Sequence, residues 1–480
     1  MSSTPRVIPI QPVSLMPGVE AASKVQPKSV KGRFSRLRWL MLALTQLFFF
    51  GLPWLEWQGR QMVRFDLEAK RFYLGSLIFL PQDLIFLTGL LVFCAMLLFA
   101  ATTLAGRVWC GFSCPQTVYT SLFMWVERHT EGDRYQRIRL DQSGWTANKL
   151  LRRGGKHALW IAISLWTGFT FVGWFSPIRE VGPQILYGTV GFWDAFWSLF
   201  YGVACYGNAG FLREKVCLHM CPYGRFQGAL MDSETLIVGY DVKRGEPRGV
   251  PRKGSDEPSR PGACVDCTLC VQVCPTGVDI RNGLQAGCIG CALCIDACDA
   301  VMDKIGQPRG LIRYARQREL QGEGQASQAA TPGNLGGLFM RHRLRLYAGV
   351  MGGLLLAMAW SVAHRPDIRV DVIRDRGVMA RLVEDGAVEN LYRLQLMNQT
   401  EQPQRIAITV EGLPGAQVMS RSDIVLSPVA DMQWTVSVRL PVSQAARLAG
   451  QTLPIRFQVA SRSATRADLV SEGSTFIVPR

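Results

Sequence analysis

The last 182 residues contain no cysteine: the fourteenth and final one is Cys298 in a chain of 480. A secreted disulfide scaffold is short and Cys-rich throughout, so that class is excluded. Acidic side chains are also few, 37 Asp and Glu against 53 Lys and Arg, for a formal charge of +16. That balance fits a nucleic-acid binder or a membrane protein with basic cytoplasmic loops. Charge is absent altogether from five long apolar stretches, and this blocking of the hydrophobic residues selects the membrane. No nucleic-acid partner is expected. Residues 1–30 lack an apolar core and a small-residue cleavage site, so no signal peptide is read there. The chain is too long for one ordinary domain.

The five stretches are 39–55, 84–106, 158–175, 195–212 and 346–363, each near the ~20 residues that a bilayer core demands. A shorter run, 72–80, ends at Pro81 and reads as interfacial. Lys and Arg number six in 24–38, nine in 107–156 and seventeen in 213–343, against four in 56–80 and one in 176–190. The positive-inside rule then places the N-terminus, the 107–156 loop and the 213–343 segment in the cytoplasm, and the C-terminus outside. After about residue 365, apolar and polar residues alternate between Gly/Pro turns, as in RIAITVEGLPG and QWTVSVRLPV, which predicts a β-sandwich.

The expected architecture is therefore a multidomain membrane protein. A disordered cytoplasmic tail spans 1–35. A membrane domain with four spans covers 36–240, and a cytoplasmic ferredoxin-like domain covers 241–318. A linker at 319–343 leads to a fifth span at 344–364 and an outer Ig-like β-sandwich at 365–480. The lipid bilayer is its first partner.

Eight cysteines lie in "CVDCTLCVQVCPTGVDIRNGLQAGCIGCALCIDACDA", which contains C-x2-C-x2-C-x3-C twice. Zinc takes four ligands from two pairs and has no use for such triplets. The spacing is that of two-cluster bacterial ferredoxins, in which the fourth Cys of each run ligates the other cluster. One [4Fe–4S] cluster is thus expected on Cys264, Cys267, Cys270 and Cys298, and a second on Cys288, Cys291, Cys294 and Cys274. Such a pair is an electron relay.

A second repeat follows two of the apolar stretches. "WCGFSCPQTVYTSLF" at 109–123 and "VCLHMCPYGRFQGAL" at 216–230 both read C-x3-C-P and then an amphipathic stretch. A proline disfavours helix at the residue before it and favours the first turn of a new one. Cys114 and Cys221 are therefore expected at helix N-caps, where the dipole lowers a thiol pKa. Arg107, Lys215 and Arg225 act in the same direction. Cys110, Cys114, Cys217 and Cys221 then form a candidate soft-metal site or a dithiol/disulfide couple, with His219 and Met220 as possible further ligands. Cys94 and Cys205 lie within apolar stretches and read as small packing residues.

With "YDVKRGEPRG" at 240–249 and "VMDKIGQPRGLIRY" at 301–314, these motifs closely resemble the FixG/RdxA/CcoG family from about residue 34 onward. The resemblance implies a bacterial inner-membrane accessory protein of cbb3-type cytochrome c oxidase that reduces Cu(II) to Cu(I). It implies copper ions, oxidase subunits or their copper chaperones, and an unnamed electron donor as partners. Two other readings share the motifs: a quinol-linked, NapH-like electron-transfer subunit, and an assembly scaffold whose clusters are structural.

Overall fold

A computed structural model describes residues 25–249, 262–320, 341–374, 380–383, 386–421, 423–462 and 467–479. The chain forms two compact units. One comprises Met1–Leu55 with Phe86–Leu355, and the other Glu56–Ile85 with Leu356–Arg480.

In the first unit, helix α1 (Arg33–Gly51) and α2 (Leu84–Ala105) are followed by the short α3 (Val108–Phe112). Then come α4 (Pro115–Thr130), α5 (Arg134–Gln142), α6 (Ala147–Val172), α7 (Ile178–Tyr187) and α8 (Phe192–Gly207). Among the described residues, three helical segments are long and apolar enough to cross a membrane: Arg33–Trp54, Pro81–Ala105 and His342–Ala363. Two of the five expected stretches are not among them, for two physical reasons. Helix α6 spends its first turns on Lys149, Arg152, Arg153 and Lys156, and α8 holds α-geometry for only 16 residues before Asn208–Leu212 widens into a π turn. Helices α6 and α8 nonetheless pack closely. Gly168 leaves no room for a Cβ beside the Ser198 carbonyl, and a Cβ on Gly202 would lie 3.2 Å from the Ser164 carbonyl.

Helix α9 (Pro222–Leu230) leads into a strand, Leu236–Tyr240, paired antiparallel with Ile312–Arg316. Between these strands lie α10 (Val242–Gly245), α11 (Leu269–Gln272) and α12 (Leu293–Lys304). The cysteine-bearing layer therefore starts at 236, slightly before the expected 241. Residues 250–261 and 321–340, the latter holding most of the expected linker, lie outside the described residues, as do 1–24.

The expected disordered tail to residue 35 is corrected over its last part. Lys28 N–H donates to the Gln272 carbonyl at 2.8 Å, and Ser29 donates to Asp133 through N–H at 3.1 Å and Oγ at 3.0 Å. Arg137 holds the Pro27 carbonyl at 2.6 Å. Asp296 of α12 accepts from the N–H of Phe34 at 3.1 Å and of Ser35 at 2.7 Å, capping α1. A Pro-rich, polar composition gave no sign of these partners, which all lie far along the chain.

The second unit is mainly a β-sandwich. One sheet holds strands 417–418, 431–440, 388–398 and 368–374 in that order, and the other holds 423–426, 404–411, 452–462 and 467–477. Alternation buries Tyr392, Leu394 and Leu396 of one sheet against Ile406, Phe457 and Phe476 of the other. The 72–80 run is corrected from interfacial to strand: Arg71–Leu74 and Leu77–Phe79 form a hairpin about Gly75, whose φ of +60° suits glycine. Residues 56–85 thus belong with the sandwich, not with the membrane domain that was expected to run from 36 to 240. Arg365 pairs with Asp83 and donates to the Ile78 carbonyl at 2.8 Å, and Arg60 pairs with Glu401.

Candidate iron–sulfur and thiol site

The eight clustered cysteines surround two cavities. Cys264, Cys267, Cys270 and Cys298 line one, beside Tyr240, Met302 and Leu311. Cys274, Cys288, Cys291 and Cys294 line the other, with Cys270 at its border and Val238, Val278 and Ile289 around it. The backbone explains the convergence. Asp266 (φ 49°) and Thr268 (φ 57°) flank Cys267, and Gly290 (φ 66°) and Ala292 (φ 60°) flank Cys291. Two left-handed residues around the middle cysteine of each triplet curl the chain so that three thiols face inward.

Burial pushes these thiols up: Cys270 to about 11, Cys288 and Cys298 to about 12, and Cys294 well above its ordinary value. A thiol held neutral in an apolar cavity becomes a thiolate ligand only when cations enter with it. Among the described residues, no three His, Cys, Asp or Glu side chains approach as closely as a single metal ion requires. Four thiols around a cavity, spaced too widely for one ion, suit a multinuclear cluster with its own sulfur. The residues present therefore fit two [4Fe–4S] groups.

The C-x3-C-P repeat is realised as one structural unit used twice. Cys110 lies in α3, and Cys114 (ψ 130°) is the N-cap of α4 with Pro115 at its first turn. Cys217 lies in a π turn, Val216–Met220, and Cys221 (ψ 112°) is the N-cap of α9 with Pro222 at its first turn. The caps are as expected. The expected thiol acidity is corrected: burial pushes Cys110 and Cys114 up, and pushes Cys217 up to about 12 with Cys114, Cys110 and Cys221 adding to it. Desolvation outweighs the helix ends and the nearby Arg107. That mutual influence makes the two thiol pairs neighbours. Gln227 Nε2 donates to Cys110 Sγ at 2.9 Å. His219 and Met220 lie exposed on their turn, whereas the four thiols are partly covered. Cys205 packs at the edge of the Phe123–Trp160 cluster, and Cys94 is exposed on α2.

Two residues that sequence reasoning did not weigh in these roles join the two sites, and a third braces the helices around them. Arg107 donates to the Ala286 carbonyl, to the Cys288 carbonyl at 3.3 Å and to the Gly224 carbonyl at 2.8 Å. One guanidinium thus holds both the loop that carries Cys288 and the helix that follows Cys221. Gly111, next to Cys110, lies against the Cys291 loop: a Cβ there would fall 2.9 Å from Cys291 Cα and from the carbonyls of Gly290 and Ile289. Glu127, buried in α4, accepts from Arg137 at 3.0 Å and from Arg213 at 2.7 Å, fixing α4 to α5 and to the turn after α8. Lys156 and Glu131 add a buried pair at 2.7 Å.

Comparisons with known proteins agree with this division. Residues 212–317 match a 4Fe–4S dicluster domain family, 87–131 a 4Fe–4S binding domain family, and 358–479 the Ig-like fold at the C-terminus of FixG. The nitrogen fixation protein FixG of Rhizobium meliloti is 37% identical over 434 residues, covering 83% of this chain and 81% of its own. RdxA of Cereibacter sphaeroides is 39% identical over 400 residues, covering 81% and 82%. RdxB of the same organism is 37% identical over 391 residues, covering 80% and 81%.

Proposed function

The chain belongs to the FixG/RdxA family of iron–sulfur electron-transfer proteins, and within it we propose a membrane-bound reductase that takes Cu(II) as substrate and releases Cu(I) for assembly of a cbb3-type oxidase. The observation that carries the reading is the convergence of Cys110, Cys114, Cys217 and Cys221 against the loop of Cys288 and Cys291. One cluster would be held by Cys264, Cys267, Cys270 and Cys298, and the other by Cys288, Cys291, Cys294 and Cys274. When bound, the clusters supply one-electron transfer.

The rest falls to side chains. Thiolates are soft ligands that favour Cu(I) over Cu(II), so holding copper between them raises the effective potential of the copper couple. Each thiol that binds loses a proton, because burial keeps it neutral beforehand. Gln227 orients Cys110, and Arg107 fixes the distance between thiols and cluster loop. Among the described residues no three ligands are preset for a single ion, so copper draws the pairs together on binding. His219 and Met220, exposed beside Cys221, are available to hand the ion on.

In the proposed topology, the close pair α6 and α8 brings the spans to five. Charge bias then puts the thiols and clusters in the cytoplasm of a bacterial cell, with the chain crossing the inner membrane and the Ig-like domain on the outer side. The outer domain would meet oxidase subunits or their copper chaperones.

The test is Cys217→Ser/Cys221→Ser in membranes whose iron content and cluster EPR signals match the parent. Loss of Cu(I) binding and of Cu(II) reduction is expected. Full copper reduction in that variant refutes the reading.

A further inference from the structure

Away from the thiols, an open cleft with about 110 Å³ of accessible space lies between α1, α4, the segment 27–30 and the cluster domain. Its chemistry is graded. Leu42, Phe112, Val118 and Met124 make an apolar floor. Trp39 and Trp125 stand on its walls, 38% and 39% exposed, as aromatic rings do at a membrane–water boundary. The remaining rim is cationic.

Lys28, Arg38, Arg128 and Arg137 line the cleft, against Asp133 alone on the acidic side. The charges are not equivalent. Arg137 is committed to Glu127, and Asp133 already accepts two hydrogen bonds from Ser29. Arg38 bonds only a neutral partner, donating to Ser121 Oγ at 2.6 Å. Among the described residues, Lys28, Arg38 and Arg128 form no ion pair. Lys28, Arg38 and Arg128 thus leave the amphipathic space with an excess of positive charge over the single carboxylate of Asp133.

We propose that this cleft binds the phosphate headgroup of an anionic membrane phospholipid, with its acyl chains along the apolar floor. The cations supply charge-assisted hydrogen bonds to the phosphate oxygens. A basic cluster at the cytoplasmic end of a membrane helix is a recognised setting for such lipids, and α1 supplies that end here. Its position gives the lipid a task. Val273 and Pro275 line the cleft on either side of Cys274, and Leu293 precedes Cys294. One bound headgroup therefore contacts the N-terminal strap, both helices and the second cysteine layer together, and seats the cluster domain on the membrane.

The full-length holoprotein in nanodiscs of phosphatidylcholine and phosphatidylglycerol provides the test. After exchange into detergent, native mass spectrometry reads the lipid that stays bound. Wild type should retain phosphatidylglycerol preferentially, and Lys28→Gln/Arg128→Gln should lower that preference about thirty-fold, at roughly tenfold or less per cation removed. Both side chains are on the rim, and iron content reports that the variant is folded. If the double variant loses iron, each single variant serves, with about a five-fold loss expected. Equal retention by variants and wild type overturns the proposal. So does displacement by inorganic phosphate, which would make this a site for the free anion, or by a neutral quinone, which would make it a site for an uncharged headgroup.

Discussion

Replacing Gly111 with Ala adds one methyl group where the structure leaves none to spare. The new Cβ would stand 2.9 Å from Cys291 Cα and from the Gly290 and Ile289 carbonyl oxygens, where ordinary contact begins at 3.4 Å. All three atoms are backbone, so no side chain can swing aside. Helix α3 and the Cys291 loop must separate by about 0.5 Å, or the helix must tilt. Overpacking of this kind costs about 1–3 kcal/mol. Ala in place of a helical Gly returns up to about 1 kcal/mol. The helix gain persists when the cluster loop opens, so the contact that joins Cys110 to that loop bears the whole overpacking cost of about 1–3 kcal/mol. If the strain is relieved as that loop opens, iron release to a chelator should speed up by roughly five- to 150-fold. Gly154, in α6, is the internal control: it has nothing within 4 Å of its Cβ position. Gly154→Ala should leave iron release unchanged and add up to about 1 kcal/mol of helix stability. Iron release followed by absorbance decides the matter. Identical kinetics in Gly111→Ala, Gly154→Ala and wild type would refute the close packing of α3 on the Cys291 loop.

Glu127→Ala should destabilise the first unit by about 3–5 kcal/mol, because it strands the buried guanidinium groups of Arg137 and Arg213; a thermal-unfolding shift no larger than that of a surface substitution would contradict this. Asp296→Ala removes the cap of α1 and should cost about 0.5–2 kcal/mol, seen as faster amide exchange at Phe34 and Ser35. Copper affinity should rise with pH. Burial holds Cys110 and Cys114 above the ordinary thiol range and Cys217 at about 12, so near neutrality each thiol that binds must release a proton, and affinity should climb about tenfold per pH unit per thiol bound. Competition with a coloured Cu(I) chelator measures the slope, and a flat profile would exclude these thiols as ligands.

The cluster layer was legible because its information is local: two left-handed residues around Cys267 and two around Cys291 arise within each triplet. The sandwich was legible because alternation along strands such as 388–398 reports one buried face. The acidity of the two thiol pairs was not legible, since it depends on how much of the fold covers Cys110 and Cys114, whereas the sequence displays only helix ends and the nearby Arg107, Lys215 and Arg225. The spans after the second were blurred because α6 mixes a cationic half with an apolar half, which a search for uncharged runs cuts in two. Arg107 stood out only as one more charge near the thiols. Its bonds to Cys288 and Gly224 join residues more than a hundred positions away, and no spacing rule reaches that far.

The pairing of residues 56–85 with the C-terminal sandwich also sets an order of events during synthesis. Asp83 is translated early, and Arg365, which neutralises it, comes 282 residues later. At about 5–20 residues per second, the ribosome needs roughly 14–56 s to reach that arginine, and longer to complete the sheets that follow. For that interval the early hairpin carries a carboxylate without its later cationic partner. A premature stop codon near the end of the reading frame would therefore injure the beginning of the polypeptide too, and a complementing C-terminal fragment supplied in trans would have a hairpin waiting for it.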